Sequence, residues 1–197
     1  MPYLSPRADL PPETRRILVA GTSGAGKTTA ARRIAAAVGA PHTELDALFH
    51  GPNWTPRPAF VDDVTRLIAG PEWVTEWQYP AARHLLIARA QLLVWLDLPV
   101  RVVMSQVIRR TVRRRVHRLE LWNGNREAPL RTILRDKEHI IRWAWDTRHD
   151  TGPGVADALR DYPDLIVVRL TSRRELDAWL AGPLAVLGSV AALAGIG

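Results

Sequence analysis

Residues 17–28 read Ile-Leu-Val-Ala-Gly-Thr-Ser-Gly-Ala-Gly-Lys-Thr, and this stretch decides the fold. Its first four residues form a short apolar run that ends at a glycine, which predicts a buried strand. The glycines that follow let the backbone turn tightly and bring its N–H groups towards phosphate oxygens. The helix expected from Lys27 adds its N-terminal dipole, which favours anions. The strand before the loop and the helix after it favour a phosphate-binding loop over a glycine-rich turn with an exposed lysine.

This loop predicts a P-loop (Walker A) site for ATP and Mg²⁺. Lys27 would bridge the β- and γ-phosphates, and the hydroxyl of Thr28 would bind Mg²⁺. The residues expected to contact the nucleotide are Gly21, Ser23, Gly24, Ala25, Gly26, Lys27, Thr28 and Thr29.

Predicted strands and helices alternate along the whole chain. This alternation indicates βαβ crossovers and a three-layer α/β fold with a parallel sheet between helices. Five strands are expected, at residues 17–20, 42–45, 73–75, 92–96 and 165–170. The helical stretch between the last two strands is longer than a crossover needs, and it predicts a lid at about residues 105–150.

The chain of 197 residues suits one compact domain, which we expect to span residues 15–181. Residues 1–14 are proline-rich and are expected to be poorly ordered. Residues 182–197 form an apolar tail, for which a short packed helix with a loose end is favoured over a membrane anchor. The chain has no cysteine, and its start has no apolar signal-peptide region, so a cytoplasmic protein is expected. Its oligomeric state is left open.

Acidic residues follow three of the predicted strands. Ligands of an open parallel sheet gather at the carboxyl ends of its strands, where Asp46, Glu76 and Asp97 are expected. Carboxylates at this edge can hold Mg²⁺ or accept a proton from an attacking hydroxyl. Glu76 is expected to face the metal together with Thr28, and Asp46 to face the phosphate acceptor. A helix cap or a salt bridge is the alternative for each, and Asp97 equally fits a simple strand end.

Arginines account for most of the local excess of positive charge. The formal net charge is +7, and six arginines fall within ten residues: Arg109, Arg110, Arg113, Arg114, Arg115 and Arg118. Several of them repeat at helical spacings of three and four, so they can share one face. Arginine's planar fork binds phosphate oxygens, and we expect Arg110 and Arg114 to close over the transferring group. A solvated basic face is the alternative. Nucleic-acid binding is possible but not favoured, because no typical DNA- or RNA-binding motif is present.

Two further groups of residues are candidates for ligand contacts. Trp54 and Trp77 follow strand ends and could stack on a planar ring of the acceptor. In the loop of residues 122–127, Trp122 could pack the lid, and Asn125 and Arg126 could reach a ligand. Arg126 and Glu127 could equally form a structural pair.

Several segments together resemble one family. They are the loop at 21–28, Glu44-Leu45-Asp46-Ala47-Leu48-Phe49, Pro52-Asn53-Trp54, Trp73-Val74, Leu96-Asp97-Leu98-Pro99, the arginines of 110–114 and Trp122-Asn123-Gly124-Asn125-Arg126-Glu127. Over about residues 16–180 the chain resembles the adenylate-kinase-like P-loop proteins labelled DNA topology modulation protein. The resemblance implies the nucleoside-monophosphate-kinase fold, ATP as phosphate donor and a mobile lid that carries arginines.

The resemblance also shows where this chain departs from its relatives. Lys27, Thr28 and Asp46 match the family's pattern. Relatives usually carry Asp-Gly-Asn-Tyr where this chain has Glu76-Trp77-Gln78-Tyr79, so the acid is one methylene longer and a tryptophan replaces glycine. Gln106 stands where related kinases often have the first arginine of the lid, which argues against adenine stacking by this helix.

The sequence therefore predicts an enzyme that moves the γ-phosphoryl group of ATP to a small acceptor, such as a nucleotide, a nucleoside or a similar metabolite. An ATP-binding regulator or a nucleic-acid-associated NTPase with little kinase activity is the first alternative. A structural protein that binds nucleotide for stability is the second.

Overall fold

The computed structural model describes residues 3–117, 120–125 and 140–194. Within these residues, four strands form one parallel sheet in the order β2-β1-β3-β4. Their bounds are β1 Arg16–Gly21, β2 Trp73–Glu76, β3 Leu92–Leu96 and β4 Ile166–Leu170.

Helices connect these strands and cover both faces of the sheet. In chain order they are α1 Lys27–Val38, α2 Leu45–Phe49, α3 Phe60–Ala69, α4 Pro80–Ile87, α5 Val100–Val116, α6 Ile140–Asp146, α7 Thr151–Asp161, α8 Arg173–Ala181 and α9 Pro183–Ala194. Two short 3-10 turns, Pro52–Trp54 and Trp122–Gly124, lie outside these helices.

The apolar run of β1 supplies both halves of the core because alternate residues of a strand point to opposite faces. Ile17 and Val19 pack into a cluster with residues of α1, α5, α8 and α9. Leu18 and Ala20 pack into a second cluster with residues of α3, α4 and α7. The expected three-layer α/β architecture is confirmed, with β1 at its centre.

The expectation of five strands is wrong for the described part of the chain. Residues 42–45 make a single bridge to β2, in which Val74 N–H donates to Pro41 O (2.9 Å) and Thr43 N–H donates to Val74 O (3.2 Å). Two residues further on, the Leu45 N–H donates to the Glu76 carboxylate at 3.1 Å instead of to a backbone carbonyl of β2. The chain turns into α2 at that point, so the pairing ends after one bridge.

Helix α7 was not predicted from the sequence, because its first residues have the composition of a turn. It begins Thr151-Gly152-Pro153-Gly154, a composition typical of a turn. Proline is tolerated in the first turn of a helix, and the glycines allow close packing on two tryptophans. A Cβ on Gly154 would lie 3.5 Å from the Trp77 ring, and one on Gly152 would lie 3.7 Å from the Trp95 ring.

Both ends of the described chain contact the domain. Leu4 N–H donates to Val167 O at 2.8 Å beside β4, and the Leu10 side chain is buried in the core, although a poorly ordered segment was expected here. At the other end, Leu184 and Leu187 of α9 are buried in the cluster that includes α1. The division at residues 15 and 181 stays a prediction. No helix within the described ranges is both long and apolar enough to cross a membrane.

Candidate functional site

The phosphate loop lies between β1 and α1, as predicted, and two of its glycines have backbone angles that other residues rarely adopt. Gly24 has φ 87° and Gly26 has φ 93°. A Cβ on Gly24 would collide with the Val107 side chain of α5. Helix α5, which carries the arginines, therefore packs directly against the phosphate loop.

Lys27 lies across the loop that would hold phosphates. Its Nζ donates to Gly21 O at 3.0 Å and to Thr22 O at 3.4 Å. Burial lowers the pKa of Lys27, the nearby carboxylates of Asp46 and Glu76 oppose this, and the charges of Arg110 and Arg83 add to the lowering. The charges of two carboxylates and two guanidinium groups thus act on this one ammonium group.

Glu76 ends β2 and is one of the few charged side chains in the core, with 1% of its surface exposed. Burial raises the pKa of Glu76, but the neighbouring His42 side chain, the Leu45 N–H and the Thr28 hydroxyl favour the ionised form, and the net pKa lies below its ordinary value. Glu76 is therefore an ionised carboxylate beside the first turn of α1. The role of Thr28 and Glu76 as a metal-binding pair stays a prediction.

The residues at this position fit a magnesium ion. The Oε1 atom of Glu76 is buried and accepts no well-formed hydrogen bond, and His42 Nε2 lies 3.5 Å from it. Hard oxygen donors such as a carboxylate and a hydroxyl suit Mg²⁺, which usually takes one or two protein ligands and completes its shell with water and phosphate. Accordingly, no group of three or more metal-binding side chains is needed, and none occurs among the described residues.

Asp46 lies in the first turn of α2, with its carboxylate directed to the segment after β2. Its Oδ1 accepts hydrogen bonds from Gln78 Nε2 at 2.7 Å and from Tyr79 Oη at 2.5 Å. Tyr79 Oη also lies 3.1 Å from His50 Nε2. Asp46 therefore has one oxygen engaged by two donors and a charge that reaches Lys27.

Tyr79 is held in this position by an uncommon backbone conformation and by aromatic packing. Its φ is 61°, a value in the left-handed region that is costly for a bulky residue. Its ring stacks on Phe49 with centroids 4.0 Å apart. Burial and the Asp46 carboxylate strongly raise the pKa of Tyr79, so its hydroxyl remains a proton donor.

The arginines of α5 occupy different positions. Arg110 is half-buried, and its charge acts on Lys27. Arg114 lies with its guanidinium carbon 5.8 Å from the centroid of the Trp122 ring. Arg109, Arg113 and Arg115 are exposed, and Arg118 lies outside the described residues. Of the two arginines predicted to close over the transferring group, Arg110 is the one whose charge acts on Lys27.

The turn at residues 122–125 packs against the chain that follows α2. Asn125 is buried; it donates to Gly51 O at 2.9 Å and accepts from Trp54 N–H at 2.9 Å. Trp122 Nε1 donates to Glu44 Oε2 at 2.8 Å. Asn125 is thus a structural link between the two segments, and the predicted contacts of Arg126 and Glu127 lie outside the described residues.

The last three candidate residues, Trp77, Trp54 and Asp97, differ in their burial and in the groups they contact. Trp77 is 8% exposed within the core, so its interpretation as a ring that stacks on a ligand is wrong. Trp54 is 38% exposed and lies edge-on to the rings of His50 and Trp122. Asp97 accepts a hydrogen bond from Arg169 Nε at 2.8 Å, which favours its strand-end interpretation.

Arg83 of α4 was not among the site residues predicted from the sequence. Its charge contributes to the lowered pKa of Lys27, although the two residues are far apart in the chain. The available signal was its position one turn into a helix that Pro80 begins, directly after the strand that ends at Glu76. A side chain in that turn lies at the carboxyl edge of the sheet.

Comparisons with known proteins give structural neighbours only. No family model and no curated protein matches the chain. Among solved structures, it is similar to a gluconokinase from Sinorhizobium meliloti 1021, with 20% identity, a TM-score of 0.50 and coverage of 93% of this chain and 97% of that one. It is also similar to a shikimate kinase from Acinetobacter baumannii in complex with shikimate, with 15% identity, a TM-score of 0.48 and 89% coverage of both chains. At 20% identity the likeness to the gluconokinase shows the fold alone, an α/β fold with a parallel sheet.

Proposed function

We propose that this protein is an ATP-dependent small-molecule kinase. The observation that carries the proposal is the convergence on Lys27, where the phosphate loop meets the charges of Asp46, Glu76 and Arg110. A binding loop alone would need only the glycines and the lysine. The carboxylates and the arginine beside it are the groups that phosphoryl transfer requires.

The donor side of the site follows from the loop and from Glu76. The loop N–H groups of residues 21–28 and the first turn of α1, where Thr29 is exposed, would bind the triphosphate. A phosphate group would replace the carbonyl partners of Lys27 Nζ. Thr28 and Glu76 would hold Mg²⁺, which neutralises charge on the β- and γ-phosphates when bound.

The acceptor side is assigned to Asp46. In the transfer, an acceptor oxygen bonds to the γ-phosphorus, the bond from that phosphorus to the bridging β–γ oxygen breaks, and ADP leaves. A hydroxyl acceptor would pass its proton to the Asp46 carboxylate. With a phosphate acceptor no such proton transfer is needed, and Asp46 would position the acceptor's sugar or base. Arg110 would stabilise the charge that moves between donor and acceptor, and Arg114 would join it when the lid closes.

The resemblance to the DNA topology modulation protein family supports this proposal through its sequence motifs only. It adds the expectation of a mobile lid at about residues 105–150 and of an adenylate-kinase-like reaction.

The proposal is tested by measuring ADP release from Mg-ATP in the presence of candidate acceptors. The panel holds nucleoside monophosphates, nucleosides, gluconate and shikimate, and a Lys27→Ala variant serves as the control. We expect one acceptor class to stimulate ADP release in the wild-type protein and Lys27→Ala to abolish the stimulation. ATP binding without stimulation by any acceptor would reduce the kinase assignment to an analogy of fold.

The nucleic-acid-associated NTPase is kept as a second candidate because of three exposed arginines. Arg109, Arg113 and Arg115 are exposed on α5, whereas Arg110 is half-buried beside the loop. DNA-stimulated ADP release together with DNA binding that weakens steeply with salt would favour this candidate. Changing all three exposed arginines to glutamine would then remove the DNA response and leave ATP binding intact.

A further inference from the structure

His50 directly follows α2, and the rings around it fix the direction of its imidazole. Its ring lies edge-on to the Trp54 ring, with centroids 4.9 Å apart, and is stacked with the Trp122 ring at 6.4 Å. The side-chain amide of Asn123 also donates to the His50 carbonyl oxygen. The imidazole therefore has little freedom to turn, and its two nitrogens point in set directions.

The two ring nitrogens of His50 have different surroundings. Nε2 lies 3.1 Å from the Tyr79 hydroxyl oxygen, which is within hydrogen-bond distance. Nδ1 is buried and has no hydrogen-bond partner in the described part of the chain. A neutral imidazole carries one ring hydrogen, so one nitrogen donates and the other can only accept. The nitrogen that carries the hydrogen decides how His50 acts on Tyr79.

The Tyr79 hydroxyl has a single hydrogen, and that hydrogen goes to Asp46. The hydroxyl donates to Asp46 Oδ1 at 2.5 Å. Asp46 acts on Lys27 and on Tyr79 as a charged carboxylate, and an ionised carboxylate can only accept. Towards His50 the hydroxyl is therefore an acceptor, and the imidazole hydrogen lies on Nε2. This tautomer also leaves no unpaired N–H group at the buried Nδ1, where a donor without a partner would be costly.

Two hydrogen bonds thus run in a chain from His50 Nε2 through the Tyr79 hydroxyl to Asp46 Oδ1. Hydrogen bonds in such a chain polarise one another, so donation by His50 makes Tyr79 a stronger donor to the carboxylate. Gln78 Nε2 donates to the same oxygen at 2.7 Å. Oδ1 is thus occupied by two donors, whereas Oδ2 of Asp46 accepts no hydrogen bond from the described residues.

We infer that His50 is a positioning residue for the phosphate acceptor: it acts through Tyr79 to fix Oδ1 of Asp46, and Oδ2 is thereby presented to a hydroxyl group of the acceptor. The role in phosphoryl transfer rests on the proposed function, whereas the chain of hydrogen bonds does not. His50 was not among the candidate residues predicted from the sequence, because its link to Asp46 passes through a residue 29 positions away.

The first measurement tests the chain of hydrogen bonds without turnover. Protein labelled with ¹⁵N in its histidines is examined by NMR at alkaline pH, where imidazoles are neutral. The His50 signals are identified by their loss in His50→Gln. We expect the hydrogen on Nε2 in the wild-type protein, and we expect the Nε2 signal to shift in Tyr79→Phe, which removes its acceptor. A hydrogen on Nδ1 would overturn the inference, whether or not the protein is a kinase.

The second measurement is steady-state kinetics with the acceptor that stimulates ADP release. His50→Phe keeps an aromatic ring without a donor, and kcat/KM for the acceptor should fall by about 3- to 10-fold while the affinity for Mg-ATP stays unchanged. His50→Gln can place an amide N–H near the position of Nε2 and should restore most of the loss, whereas the shorter His50→Asn should not. His84→Phe, the same change at an exposed histidine of α4, should behave as wild type.

A double-mutant cycle separates this role from a purely structural one. Because His50 acts through the Tyr79 hydroxyl, His50→Phe should cause no further loss in a protein that already carries Tyr79→Phe. Additive losses, or a His50→Gln enzyme as impaired as His50→Phe, would overturn the inference. Should His50→Phe fail to fold, His50→Asn serves as the second variant in the same cycle. A lack of turnover with every acceptor would count against the proposed function, and the tautomer of His50 would still decide whether the chain of hydrogen bonds exists.

Discussion

At the scale of single residues, a hydrogen bond from Tyr79 holds the Asp46 carboxylate in place. The Tyr79 hydroxyl donates to Asp46 at 2.5 Å, and the tyrosine keeps a strained φ of 61° to do so. Strain of this kind persists only where surrounding packing holds it, here the stack on Phe49. Asp46 is thereby fixed with one oxygen engaged and its charge directed at Lys27, an arrangement that suits a positioned acceptor group.

The first prediction removes that hydrogen bond. Tyr79→Phe keeps the ring and its stack, so the fold should be retained, while Asp46 loses one of its two donors. We expect kcat/KM for the acceptor to fall by about 10-fold, because hydrogen bonds to charged groups contribute about 1.5–3 kcal/mol. The affinity for Mg-ATP should not change. Steady-state kinetics with the stimulating acceptor, together with calorimetry for the nucleotide, measure the two effects.

Tyr162→Phe is the matched control, because Tyr162 is half-buried and its hydroxyl makes no hydrogen bond within the described residues. It should behave as wild type in both measurements. A Tyr79→Phe enzyme with unchanged acceptor kinetics would show that Tyr79 serves stability alone.

At the scale of elements, α8 offers a capping arrangement well away from the site. The Ser172 hydroxyl accepts from the Glu175 N–H at 3.1 Å, and Glu175 Oε2 accepts from the Thr171 N–H at 2.7 Å and from the Thr171 hydroxyl at 2.9 Å. The Ser172 hydroxyl is an N-cap, which provides a partner for an N–H group that the helix start leaves unpaired, and Glu175 reaches back one residue further than in a standard capping box. This arrangement explains why α8 begins at Arg173, where the sequence predicts it.

The second prediction concerns the pH dependence of this capping arrangement. Hydrogen bonds from the N–H and hydroxyl of Thr171 hold the pKa of Glu175 below its ordinary value of 4.5. A depressed carboxyl pKa contributes stability that is complete above pH 4.5 and is lost as the pH falls through the folded-state value. Glu175→Gln should therefore be less stable than wild type at neutral pH, and the difference should shrink under acid conditions.

Urea unfolding at neutral and acid pH measures this difference. Asp164→Asn, which changes an exposed carboxylate that has no hydrogen-bond partner in the described part of the chain, should show no such trend. Ser172→Ala should cost about 1 kcal/mol at either pH, as removal of an N-cap hydroxyl generally does. A constant gap between wild type and Glu175→Gln across the pH range would contradict the prediction.

At the scale of the whole molecule, the packing of α9 against α1 links the end of the chain to the helix that follows the phosphate loop. The sequence of α9 is uncharged, and a short packed helix with a loose end is the favoured expectation for it. Leu184 and Leu187 are buried in the cluster that includes residues of α1. Gly188 is the point of closest approach, since a Cβ there would collide with the carbonyl oxygen of Ala37. Since α1 carries the phosphate loop at its other end, the packing of α9 supports the helix that positions the site.

The third prediction adds one methyl group at this contact. Gly188→Ala should destabilise the protein by about 1–3 kcal/mol because the backbone of α1 must shift to make room. For a chain of this size that corresponds to a decrease in Tm of about 2–4 °C per kcal/mol. Calorimetric melting checks it, with Val186→Ala as the control because Val186 is 54% exposed. An unchanged Tm for Gly188→Ala would indicate that α9 does not pack on α1 in solution and that residues 182–197 are a tail.

The sequence by itself determined the elements whose causes are local. Strand β1, the glycines of the loop, Lys27 and Thr28, and a first helix that ends at Gly39 all follow from short patterns in which neighbouring residues decide the conformation. The position of Glu76 at the end of β2, next to the strand that leads into the loop, was also predictable, because parallel strands place their carboxyl ends at one edge.

Only the tertiary structure decided what depends on partners far apart in the chain. Residues 42–45 have the composition of a strand, but the Glu76 carboxylate takes the Leu45 N–H and α2 begins instead. Trp77 was interpreted as a possible ligand contact, but α7 packs on its ring. The sequence of α7 is typical of a turn, so this contact was not predicted. Arg83 gained its importance from the charges around Lys27. The burial and the charge environment of these residues depend on segments that are distant in the sequence. Gln78 and Asp46, for example, form a hydrogen bond across a separation of 32 residues. Short sequence patterns cannot predict such contacts.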